Sequence, residues 1–252
     1  MTATDILLLC GFAFTAGLVD SIVGGGGLIQ IPALFIFLPD LPVATLLGTN
    51  KFSSVAGTAA ATGQYARRVS LDWRAILPAI VPAVLFSLLG AQTVSLMDAD
   101  VLRPLVPVLL VAVAIYTFVK KDLGTSHRPR LSGGTQLWLS AVVGAALGFY
   151  DGFFGPGMGS FLVFAFVGLF GFSFVTASAS AKVINTATNL TAMLFFAATG
   201  HIFYAAAIPM SLCNILGSVV GARLAIARGS RFVRALFLVV VLAVVARSLL
   251  PG

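Results

Sequence analysis

Slid along itself, the chain matches at one ungapped offset of 131 residues, which pairs Asp20 with Asp151 and Lys51 with Lys182. The same offset aligns Gly17 with Gly148, Gly24 with Gly155, Gly26 with Gly157, Thr45 with Thr176, Pro78 with Pro209, Ser87 with Ser218, Gly90 with Gly221 and Arg103 with Arg234. Two structural repeats follow, 1–121 and 132–252, joined by linker 122–131 within "KKDLGTSHRPRLSGG". Whatever fold one half adopts, the other must be able to adopt, with an acid and a lysine at matching places.

The solvent for that fold is lipid. The sequence is 59% hydrophobic and 9% charged, and its apolar tracts run the whole length without a polar stretch large enough to fold separately. One membrane domain over 1–252 is expected, all-α and polytopic. The opening "MTATDILLLCGFAF" lacks the basic flank of a secretory signal, so it is expected to be retained.

Each repeat reads as five apolar segments, in the first half 5–22, 28–38, 43–65, 74–96 and 102–119. A helix needs about 20 residues to cross a bilayer core of about 30 Å. The last three segments of each half are long enough, but "LIQIPALFIFL" reaches only about 16 Å before "PDLP" ends it. Preceded by Gly24 to Gly27, it reads as the returning limb of a re-entrant hairpin. One hairpin plus three crossings per half forces the halves into opposite orientations, an inverted-topology repeat.

Charge tests the inversion. Placing "YARRVSLDWR" inside puts "MDAD" outside and "VKKDLGTSHRPR" inside, and the second-half equivalent of "MDAD", which must lie inside, reads "ARGSRFVR". Of 15 Lys and Arg, 11 then face the cytoplasm: Arg67, Arg68, Arg74, Lys120, Lys121, Arg128, Arg130, Arg223, Arg228, Arg231 and Arg234. Arg103 and Arg247 fall outside, and both termini are expected outside. The net charge of +7 is thus explained by membrane sorting, and no nucleic-acid partner is expected.

Lys51 and Lys182 are the two cations left, each about 13–15 Å along a spanning segment and so near the midplane. Ser54 and Thr58 follow Lys51, and Asn185 and Asn189 follow Lys182, at steps that keep one helical face. With Asn50 beside Lys51, "GTNKFSSVAGT" and "SAKVINTATN" each project a cation and hydrogen-bonding groups toward one place. A small anionic substrate is the expected occupant. Asp20 and Asp151 are the acids expected away from the membrane surfaces, as counter-ions to the lysines or as coupling sites for a proton or sodium ion. Gly-rich turns free backbone amides and begin a helix with its positive end, so Gly24, Gly25, Gly26, Gly27, Gly155 and Gly157 join the expected substrate-binding set. "GAALG" and "GSVVG" need only close helix packing as their explanation.

Cys10 and Cys213 lack metal-ligand or C-x-x-C spacing and occupy non-equivalent repeat positions, so they are read as small apolar residues and not as a thiol relay. Neither a Ser/His nor a metal constellation suggests an enzyme, and no metal or cofactor is expected.

Taken in order, "GLVDSIVGGGGLIQIPAL", "GTNKFSSVAGT", "GFYDGFFGPGMGSFL", "SAKVINTATNL" and "MSLCNILGSVVGARLA" resemble the sulfite exporter TauE/SafE family of bacterial membrane transporters over nearly the full length. The resemblance implies secondary transport of small anions, with sulfite and organosulfonates the usual candidates and carboxylate anions moved by some members. An inner-membrane transporter is therefore expected, working by alternating access as one repeat rocks against the other. A passive anion channel is the rival within transport, and a membrane scaffold the rival outside it.

Overall fold

The computed structural model describes residues 2–98, 100–102, 105, 108 and 131–249, with side chains described as far as Gly229 and at Phe232. Most of segment 102–119 and linker 122–131 therefore lie outside the described residues, as do the side chains of Arg103, Arg231, Arg234 and Arg247.

The described chain is helical: α1 (Ala3–Val23), α2 (Gly27–Phe37), α3 (Val43–Ala66), α4 (Trp73–Ser95), α5 (Gly133–Phe153), α6 (Met158–Gly168), α7 (Phe174–Ala198) and α8 (Tyr204–Leu249). Local chemistry sets the ends. Thr2 and Asp5 form a reciprocal capping box at the start of α1, Asp72 caps α4 through the Arg74 amide, and Ser173 caps α7 through the Thr176 amide. Gly24, at φ 70°, stops α1 in a conformation that side chains disfavour. Gly229, at φ 71°, bends α8.

Both α2 and α6 have 11 residues, as the short second segments require. Among the described residues, three helices are long and apolar enough to cross a membrane: Ala3–Val23, Trp73–Ser95 and Tyr204–Gly229. The equivalents in α3 and α7 have the length, but they carry lysine, serine, threonine and asparagine and so lose the apolar average. Those polar side chains are buried inside the protein, which is why a lipid-like composition is not demanded of them.

Lipid-facing surfaces recur at the repeat offset. Along α4, Leu77, Val81, Leu85 and Leu89 stand exposed one turn apart, and along α8 so do Ile208, Leu212, Leu216 and Val220. The opposite faces of these helices make the tightest seams. Gly144, Gly148 and Gly152 of α5 lie on Ala79, Ala83 and Ser87 of α4, where an added methyl would strike each carbonyl oxygen. Gly217 and Gly221 of α8 lie in the same way on Phe14 and Leu18 of α1. Small residues let backbones approach and gain dispersion contact, the main source of helix association in lipid. The seams cross the repeats: the first helix of each half packs on the fourth helix of the other, while α3 and α7 meet at the centre.

Candidate functional site

In the middle of the bundle α1 ends, α2 begins, and the matching α5–α6 turn meets them tip to tip. A helix end buried inside the protein leaves carbonyls without intrahelical partners and away from water, and Ser21, Ile22 and Val23 at the end of α1 are all buried. At the end of α1 the protein supplies donors: Tyr65 Oη donates to Ser21 O at 2.8 Å, Ser178 Oγ to Ile22 O at 3.0 Å, and Ser160 Oγ to Val23 O at 3.1 Å and also to Gly24 O. Tyr65 and Ser178 come from α3 and α7, and Ser160 from the opposite tip. The tips themselves touch at Gly24 and Gly159, and Gly27 lies against Pro156.

The charged residues sit just behind these tips, about 12 Å along α3 and α7 for the lysines at 1.5 Å per residue. Lys51 Nζ lies 2.7 Å from Asp151 Oδ1 and donates to Asn189 Oδ1 at 3.0 Å. Lys182 Nζ lies 2.6 Å from Asp20 Oδ2. Each pair thus joins a lysine of one repeat to an acid of the other. Gly155 makes room for the first, because a side chain there would meet Lys51 Nζ at 2.8 Å. Lys51, Lys182 and Asp151 are buried, while the Asp20 side chain retains 16% exposure. Four charges sum to zero, so neither ammonium is surplus.

A cavity of about 20 Å³ opens between the pairs, lined by Asp20, Gly27, Asn50, Lys51, Ser54, Thr58, Asp151, Gly155, Gly157, Asn185 and Asn189, together with Met158 and Gly159. That is room for about one water. Asn189 Nδ2 donates to Asn185 Oδ1 at 2.9 Å, fixing the two amides against each other. Asn50 Oδ1 and Asp151 Oδ2 are buried without a hydrogen-bond partner among the described residues.

Of the residues expected at the site, Lys182 lies beyond the lining and reaches it through Asp20. Gly24, Gly25 and Gly26 do not line it. The Gly25 and Gly26 amides donate to Asp20 Oδ1 at 3.1 and 3.2 Å, so the turn that looked open to a ligand is satisfied by its own acid. A Cβ on Gly26 would meet Ala16 O at 2.6 Å, which makes it a packing glycine. Sequence reasoning missed Ser160, Tyr65 and Ser178, and also Gln30, whose Oε1 accepts from Asn214 Nδ2 at 2.9 Å inside the bundle. A lone glutamine in "LIQIPALF" was the available signal for Gln30. Cys10 and Cys213 are neighbours in the structure although they occupy unequal repeat positions. Adjacency here follows from the α1–α8 seam, not from the repeat.

A family model described as sulfite exporter TauE/SafE matches residues 8–248. The chain is 37% identical over 237 residues to a "probable membrane transporter protein ORF9" of Sinorhizobium sp, covering 94% of this chain and 89% of that protein. It is 38% identical over 240 residues to the "probable membrane transporter protein YfcA" of Escherichia coli strain K12, with 94% and 87% covered. A "probable membrane transporter protein" of Haemophilus influenzae is 36% identical over 229 residues, with 90% and 88% covered. No solved structure gives a significant match.

Proposed function

The chain belongs to the sulfite exporter TauE/SafE family of membrane transporters, and from that premise we propose that it carries a small sulfur oxyanion, sulfite or an organosulfonate, by alternating access across a bacterial inner membrane. Both termini face the outside in this reading. The observation that carries it is the pair of lysine–carboxylate bridges, each spanning the two repeats, at the meeting point of two hairpin tips. An oxyanion arriving there competes with Asp151 for Lys51 and with Asp20 for Lys182, while Ser54, Thr58, Asn185 and Asn189 supply further hydrogen bonds.

Room for about one water is less than a four-atom oxyanion needs, so binding requires the tips to part. That favours a carrier over a passive channel. Because glycine seams tie α1 to α8 and α4 to α5, the moving bodies are these cross-repeat pairs and not the sequence repeats.

The test is counterflow of labelled sulfite in proteoliposomes, with Lys51→Ala and Lys182→Ala beside the wild type. Both variants are expected to lose at least tenfold in rate, and undiminished transport by both would remove the site. Unlabelled small carboxylates added as competitors distinguish the two anion classes.

A further inference from the structure

The two halves of the site differ in a way the repeat does not reveal. Asp20 has a full set of partners: Lys182 on Oδ2, and the Gly25 and Gly26 amides on Oδ1. Asp151 has Lys51 on Oδ1 and no partner on Oδ2 among the described residues. One of the two amides is lost in the sequence itself, since the position equivalent to Gly25 is Pro156, which has no N–H to give, whereas Gly157, equivalent to Gly26, keeps one. Tyr65, Ser178 and Ser160, which hold the end of α1, correspond to Phe196, Leu47 and Ile29, which carry no donor.

Charge balance gives this asymmetry a consequence. Two ammoniums and two carboxylates sum to zero, so an anion that enters adds an uncompensated charge to a buried site. If it takes Lys51, it also strips Asp151 of its counter-ion. A lone charge buried away from water is strongly disfavoured, and neutral hydrogen bonds from the lining side chains do not offset that penalty.

We propose that the anion is carried together with one proton, held on Asp151 Oδ2. This rests on the transport reading above and names its coupling ion. The proton comes from water on the loading side and returns to water on the other, and no other bond changes. Lys51 passes from Asp151 to the anion, and the site stays neutral with a monoanion bound. Protonated, Oδ2 becomes a donor in a cavity that also holds the unpartnered acceptor Asn50 Oδ1.

The groups around Asp151 leave it the role. Lys51 faces it from α3, the Lys182–Asp20 pair closes the α7 and α1 sides, and Tyr150 on its own helix is engaged with Pro156 O. Helix α6 contains no titratable side chain among its charged types, and the charged residue of α4, Arg74, lies in that helix's first turn.

Proteoliposomes carrying a pH dye inside test this, with methanesulfonate as probe because it stays a monoanion near neutral pH and cannot bring the proton itself. Sulfite counterflow at equal pH is run alongside. Methanesulfonate uptake by the wild type is expected to acidify the lumen, and its apparent KM to rise by up to about tenfold per pH unit, the slope of one bound proton. In Asp151→Asn, whatever rate remains is expected to lose that slope. Net methanesulfonate uptake without lumen acidification, uptake driven by a sodium gradient instead, or an unchanged slope in Asp151→Asn overturns the proposal and leaves the transport reading standing. Absence of counterflow with either probe removes both. Should Asp151→Asn not fold, lumen acidification by the wild type decides alone.

Discussion

Replacing Gly24 with alanine separates tip packing from ligand contact. Gly24 sits at φ 70°, where a Cβ is strained whatever the space around it, at about 1–3 kcal/mol. The added methyl would also fall 2.6 Å from Gly159 Cα and from Ser160 N. Those are backbone atoms of the opposite tip, so no rotamer change relieves the overlap, and overpacking adds about 1–3 kcal/mol. The total, about 2–6 kcal/mol, lowers Tm by at least roughly 4 °C at 2–4 °C per kcal/mol for a chain of this length. Gly25 is the control. Its nearest outside atom is Ser160 Oγ at 3.5 Å, an ordinary contact, and its φ is not positive, so Gly25→Ala should move Tm by less than about 2 °C. The assay is the fraction of detergent-purified protein that survives graded heating as a monodisperse gel-filtration peak. Equal melting of Gly24→Ala and wild type, or of the two alanine variants, would refute the tip-to-tip reasoning.

Removing one member of the buried Lys51–Asp151 pair strands a charge, so Lys51→Met alone should cost about 3–5 kcal/mol, and Lys51→Met with Asp151→Asn should recover most of that by the same heating assay while sulfite counterflow stays lost. Recovery of counterflow in the double variant would show that the pair is structural only. Mild oxidation should couple Cys10 to Cys213 within one chain, seen as protection from thiol alkylation, and should leave counterflow within about twofold, because both residues belong to the same α1–α8 body. Arrest of transport by that bond would mean that α1 slides on α8.

How far the sequence carried depends on which force was at work. The short limbs α2 and α6, and the lysines inside α3 and α7, were legible because helix length and intramembrane charge are set by the bilayer, not by partners. Which acid meets which lysine was not legible. Lys51 reaches Asp151 and not Asp20 because glycine seams bring α5 against α4 and α1 against α8, and those seams depend on backbone approach that residue types only permit. The fate of the Gly25 and Gly26 amides was hidden for a similar reason. Asp20 lies close enough in sequence to take them, but whether it turns inward is decided by the turn. Ser160 and Ser178 looked like ordinary helix serines, and their role appears only when α1 is seen to stop where no water can serve its last carbonyls.

The crossed seams bear on how the chain is made. When the first half has left the ribosome, the Phe14–Leu18 face of α1 and the Ala79–Ala83 face of α4 still await helices that have not been synthesised. Each half is thus an unfinished surface, and assembly of the bundle must wait for α5 and α8. Two half-length polypeptides, made separately in the same membrane, would have to find each other before either could close around its own lysine.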